Sequence, residues 1–172
     1  MTDAAAPTTF EIPETVAVDF PGNFRPVPAF TMDVPSMWIV GECPGALYML
    51  ATADREDGTW ANVVVQHSRV AQDMTMIELA QTSWNELTRN CPEALYVEEF
   101  SLEAGANHYV RKLIIADEDP KLVVNRSDSF TQVRAPASRT DDIFHITWLT
   151  PNWCAEEFEP VFVRMLASFS FA

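Results

Sequence analysis

The chain has 172 residues, of which 48% are hydrophobic, 11% aromatic and 21% charged, the composition of one ordinary globular domain. A domain of this size buries roughly 70% of the surface its unfolded chain exposes, so a core forms without disulfide or metal staples. Eleven Lys plus Arg face 25 Asp plus Glu for a net charge of −14, and no basic cluster interrupts that balance, which excludes nucleic acid as a direct partner.

Residues 1–28 read as an extended, partly disordered arm, because Pro7, Pro13, Pro21, Pro26 and Pro28 each lack a backbone donor. Within it Phe10, Ile12, Val16, Val18 and Phe20 alternate with polar or small residues, as in an edge segment lying along a surface. No Lys or Arg occurs between Met1 and Phe24, while Asp3, Glu11, Glu14 and Asp19 are acidic. A secretory signal with its positive start and apolar stretch is therefore not expected. The apolar runs Ala46–Ala51 and Val161–Leu166 are far shorter than the roughly 20 residues of a membrane span. Cys43, Cys91 and Cys154 form no Cys-x-x-Cys pair, so free thiols in a reducing cytoplasm are expected.

Residues 29–172 read as a single domain. Phe30, Met32 and Val34 alternate with Thr31 and Asp33 as in a half-buried strand, which Pro35 ends. Ala46–Thr52 and Trp60–His67 are two further strands, joined by an Asp54–Gly58 turn and paired antiparallel. Thr75-Met76-Ile77-Glu78 is a capping box that starts a helix, with Met74 and Leu79 as its staple. Ile77, Ala80, Trp84 and Leu87 form the helix's buried stripe, and Asn90-Cys91-Pro92 stops it. A meander follows: Tyr96–Leu102, a Gly105-Ala106-Asn107 turn, His108–Ile115, a short Lys121–Val124 strand, Ser129–Ala135 and Ile143–Leu149. A final helix over Ala155–Ala167 offers Phe158, Val161, Phe162, Met165 and Phe169 for packing, with Pro160 near its start.

Hairpins link most strands directly, so the order is not the βαβ alternation of a doubly wound fold. The expected class is α+β, an α/β/α-type sandwich whose mainly antiparallel twisted sheet is flanked by helices. The stretch Phe30-Thr31-Met32-Asp33-Val34-Pro35-Ser36-Met37-Trp38 resembles the opening strand and turn of the PsbP-like fold superfamily. Trp60-Ala61-Asn62-Val63-Val64-Val65 and Met165-Leu166-Ala167-Ser168-Phe169 are similar to its actinobacterial LpqN-type lipoprotein branch, and the resemblance spans about Phe30–Phe171. It implies binding to a protein or lipidic partner without a shared catalytic centre, and it transfers no residue role. That lipoprotein branch carries a lipid-modified Cys at the end of its signal, whereas the first Cys here is Cys43, so a cytoplasmic place is expected.

No nucleophile elbow, Gly-rich phosphate loop or His-Glu-x-x-His helix occurs. The first functional expectation is thus a non-catalytic binding module that holds a protein segment or an apolar ligand, as monomer or homodimer, with no cofactor. Trp38 and Trp153 fall in turns and are its candidate partner-binding residues, because exposed aromatics anchor interfaces. The competing expectation is a small hydrolase or metal enzyme assembled in space from His67, His145 and acidic residues. Asp117, Glu118, Asp119, Asp141 and Asp142 read as solvated loop charges, and Cys91 as a structural thiol at a helix C-terminus, a setting that does not favour an anionic nucleophile.

Overall fold

The computed structural model describes residues 26–52, 60–104, 106–134 and 138–171. The predicted arm up to residue 25, the 54–58 turn, Gly105 and Ala135 lie outside the described residues. The elements are β1 (Phe30–Thr31), β2 (Ile39–Gly41), β3 (Tyr48–Ala51), β4 (Asn62–Ala71), α1 (Met76–Asn90), β5 (Ala94–Ala104), β6 (Ala106–Ile115), β7 (Val124–Val133), β8 (Thr140–Pro151), α2 (Ala155–Ser168) and β9 (Ser170–Phe171). Seven strands form one antiparallel sheet in the order β2-β3-β4-β8-β7-β6-β5. The two short strands β1 and β9 pair with each other, Phe30 opposite Phe171.

Side-chain alternation gives the sheet two packed faces. On one, Val63, Val65, Val110, Phe144, Ile146 and Trp148 meet Phe158, Phe162, Met165 and Leu166 of α2. On the other, Tyr109 and Phe130 meet Ala80 of α1, with Met76 and Leu79 beside them. The helix–sheet–helix sandwich expected from the element order is therefore the observed architecture.

Local chemistry sets the helix start. The Thr75 hydroxyl accepts from the Glu78 amide at 3.2 Å, and the Glu78 carboxylate accepts from the Thr75 amide at 2.8 Å, so two otherwise orphaned donors are satisfied. The buried stripe differs from the one periodicity predicts: Ile77 is 60% exposed, and the buried contact centres on Ala80. The helix rests mainly on β6 and β7, and Arg111 of β6 donates from Nη1 to the Ala80 carbonyl at 2.8 Å. That tether rotates the Ala80 side inward and leaves Ile77 outside.

Three further departures have identifiable causes. The first strand stops at Thr31, not Val34, because the Asp33 amide bonds to Ser168 Oγ at 2.8 Å and so leaves the ladder. The three-residue β2 has no hydrophobic period to read, and it is held by a tight turn before β3 in which the Ala46 amide donates to the Cys43 carbonyl at 3.0 Å. Pro44 and Gly45 occupy the centre of that turn, and Gly45 supplies the positive φ of 80°. The predicted Lys121–Val124 strand is instead a 3₁₀ turn over Pro120–Leu122, where the Asp119 carboxylate accepts from the Lys121 amide, after which β7 begins at Val124. In α2, Pro160 lies in the second turn and is exposed, so the carbonyl it leaves without a donor meets water.

Candidate functional site

The register across β5–β8 brings Glu98, Lys112, Ser127 and Trp148 into one cross-strand row. Lys112, Ser127 and Trp148 of that row form the floor of a cleft of about 240 Å³, whose other wall is α2 with Glu156, Glu159 and Phe162. Lys112 Nζ lies 2.9 Å from Glu98 Oε1, pairs with Glu159 as well, and sits 5.4 Å from the centre of the Phe100 ring. Burial pulls the Lys112 pKa down, but hydrogen bonds and charge from Glu159 and Glu98 outweigh it and raise the pKa above the ordinary lysine value. An ammonium held this way stays protonated at neutral pH and serves neither as base nor as nucleophile.

Neither tryptophan singled out from the sequence is among the residues that line this cleft, but each adjoins one that is. Trp38, half-buried, stacks on Trp148 with ring centres 5.7 Å apart and so braces the cleft wall from behind. Trp153 is 53% exposed on the 3₁₀ turn Asn152–Cys154 that carries β8 into α2. Its neighbour Asn152 lines the cleft and accepts from Asn125 Nδ2 at 3.0 Å. Lys112, Ser127, Asn125 and Glu159 come from three separate elements, and no local pattern marks them in the sequence.

The histidines do not meet. His145 lies on the α1 face, whereas His67 packs on Phe144 and His108 on Phe169, both on the α2 face. His145 Nε2 is 2.8 Å from Asp128 Oδ1, and its ring stacks on Phe130 at 4.5 Å. Asp128 also accepts from Thr147 Oγ1 at 2.9 Å and from Arg126 Nε and Nη2 at 2.8 and 3.0 Å. Burial raises the Asp128 pKa, but the hydrogen bond and charge of His145 and Arg126 overcome it and bring the carboxyl down to about 2. His67 Nε2 is 2.9 Å from Asp142 Oδ1, which accepts from Arg69 Nε at the same distance.

Asp141 and Asp142, expected in a solvated loop, are buried: β8 already begins at Thr140, and both have partners from other strands. Gln132 Nε2 donates to Asp141 Oδ2 at 2.7 Å. Asp117, Glu118 and Asp119 are exposed. Among the described residues no group of three or more His, Cys, Asp or Glu is arranged to hold a metal ion.

His108 is 1% exposed between Ser129 and Thr131, and burial pushes its pKa from 6.5 down to about 4. The unfolded chain therefore binds this proton first as the solution is acidified. Stability contributed by the neutral ring is whole above pH 6.5 and falls between pH 6.5 and 4, a loss of about 3 kcal/mol in total. Urea titrations at pH 7 and pH 4.5 check this: His108→Gln is expected to flatten the decline, and an unchanged decline in that variant assigns it elsewhere.

No family model matches the chain, and no curated protein matches it. Solved structures do. LpqN of Mycobacterium tuberculosis, involved in cell envelope biogenesis, superposes with a TM-score of 0.67 at 12% identity over 87% of each chain. The cyanobacterial PsbP of Synechocystis gives 0.54 at 15% identity, covering 88% of this chain and 96% of its own. The Ran-binding protein Mog1p of Saccharomyces cerevisiae gives 0.53 at 18% identity, covering 82% and 89%. Seven antiparallel strands between two helices, shared at this level with LpqN and PsbP, give the chain a PsbP-like fold.

Proposed function

We propose that the chain is a non-catalytic binding module, one domain over 29–172, that holds a segment of a protein partner in the cleft beside α2. In this reading Trp153, exposed and next in the chain to the cleft-lining Asn152, is the anchor, and Trp38 keeps Trp148 in place. The observation that carries this reading is the state of Lys112. Among the described residues that line the cleft there is one ammonium, locked between two carboxylates beside aromatic walls, and no histidine. Ser127 neighbours Lys112 across the strands, yet a lysine with a raised pKa does not take its proton. The likeness to Mog1p, a Ran-binding protein, supports protein binding as the task of such a domain. The TM-score of 0.67 with LpqN supports the LpqN-type branch.

Among the described residues no helix is long and apolar enough to cross a membrane. The thiols support a reducing, cytoplasmic setting: Cys43, Cys91 and Cys154 are free, and Cys154 is buried against the Pro151 carbonyl. The exposed edges β2 and β5 are compatible with monomer and homodimer alike.

A second reading, an apolar or lipidic ligand, rests on a groove of about 510 Å³ between the Val27–Val34 segment and β2–β4, where Phe30, Met32, Val40, Tyr48 and Leu50 line it. That volume lies within the range of about 300–1,000 Å³ typical of small-molecule sites. Mass spectrometry of the native protein as purified separates the two: a co-purifying lipid supports the groove. For the cleft, Trp153→Ala is expected to weaken a cross-linked and identified partner by at least tenfold, about 1.4 kcal/mol or more. Unchanged affinity in that variant removes Trp153 from the interface.

A further inference from the structure

We propose that the cleft beside α2 receives one basic side chain, an arginine or a lysine, from a partner's surface, with Lys112 as the internal occupant that such a side chain joins and partly displaces. The inference rests on the reading above that the cleft holds a partner, and it names the chemistry that enters.

Four observations point the same way. Charge is the first: Glu156 and Glu159 line the cleft and Glu98 reaches Lys112, three carboxylates to one ammonium, within a chain of net charge −14. A cation is attracted there and an anion repelled. The walls are the second. The ammonium of Lys112 already lies over the Phe100 ring at 5.4 Å, and Trp148 and Phe162 continue that aromatic surface, the kind of surface on which guanidinium and ammonium groups rest. Third, the Ser127 hydroxyl, in a residue only 5% exposed, lines the cleft with no hydrogen-bond partner among the described residues. An apolar occupant would leave that group unsatisfied, which is costly, whereas a guanidinium or ammonium donates to it. Size is the fourth. About 240 Å³ falls below the range of about 300–1,000 Å³ of small-molecule pockets and suits a single long side chain. The first turn of α2 has no side-chain cap, but Glu156 and Glu157 there already answer its positive end, so the helix terminus does not turn the cleft into an anion site.

The test titrates three blocked tripeptides into the full chain, with arginine, norleucine or glutamate between two glycines, and follows the Trp148 indole N–H resonance. Only the arginine peptide is expected to shift it saturably. Glu156→Gln combined with Glu159→Gln should weaken that binding about tenfold, and Lys112→Met should strengthen it several-fold. Glu118→Gln, on the exposed loop before β7, should leave it unchanged. Circular dichroism confirms that each variant is folded. The proposal is overturned if the norleucine peptide binds as well as the arginine one, if Glu118→Gln weakens binding as much as the double variant, or if Trp148 does not respond. Loss of the partner in Trp153→Ala together with a silent arginine probe would sink this inference and leave the binding reading standing. A partner cross-linked to another face would sink both.

Discussion

Phe144→Ala is expected to cost the fold about 3–5 kcal/mol, the range for deleting a fully buried aromatic from a packed core. Phe144 is 0% exposed and touches three other phenyl rings: Phe30 at 5.2 Å, Phe171 at 5.3 Å and Phe169 at 5.7 Å between centres. His67 lies against it at 5.3 Å. The ring therefore joins the central strand β8 to the β1–β9 pair and to the end of α2. Truncation leaves a cavity that the sheet cannot collapse to fill, because β8 is fixed on both sides by β4 and β7. Urea denaturation should show a much lower midpoint with little change in slope. A loss below about 1 kcal/mol would mean that the cluster repacks, and the role given to Phe144 would be wrong.

Asp128→Ala should be nearly as damaging, at about 3 kcal/mol, the lower end of the cost of removing one member of a buried ion pair. The lower end applies because the side chains of Arg126 and His145 retain 19% and 20% of their exposure and recover some hydration. Asp128 itself is 3% exposed and accepts four bonds from Arg126, His145 and Thr147. Asp128→Asn keeps the volume but loses the charge, so most of the loss should remain. The carboxyl's folded pKa of about 2 is below its ordinary 3.8, so its charge-linked stability is whole above pH 3.8 and lost as the pH falls through 2. That loss amounts to about 2 kcal/mol. Acid unfolding should thus show two separate declines in the wild type, the higher belonging to His108 and the lower to Asp128. An Asp128→Asn variant that keeps the lower decline would reassign it.

Features written in neighbouring residues are legible in the amino-acid sequence alone. The capping box at Thr75 and Glu78 lies within four residues, and the helix begins where it says. The apolar runs of β3 and β4 and their antiparallel pairing follow from composition and a short separation. Phe158, Phe162 and Met165 face the core as their spacing requires. Other features depend on distant partners. Asp142 is buried because His67 and Arg69, 75 and 73 residues earlier, lie beside it, and nothing next to it announces that. Periodicity points Ile77 inward because it cannot tell which edge of an apolar stripe a sheet will cover, and here the Arg111 tether decides it. The cleft is the extreme case: Glu98, Lys112, Ser127 and Trp148 become neighbours only through the register of four strands. Trp38 and Trp153 stand out because large aromatics in turns are noticeable one at a time, although their separate environments, one stacked on Trp148 and one exposed, emerge only from packing.

The pairing of Phe30 with Phe171 has a bearing on how the protein is made. Thr31 and Ser170 are joined hydroxyl to hydroxyl at 3.0 Å across 139 residues of chain, so this clasp is among the most non-local contacts the fold possesses, a type that forms late because the intervening loop must close first. During translation the aromatic cluster of Phe30, Phe144, Phe169 and Phe171 stays incomplete until the ribosome has released residue 171. A nascent chain stalled earlier would display those phenyl rings to whatever chaperone waits at the exit tunnel.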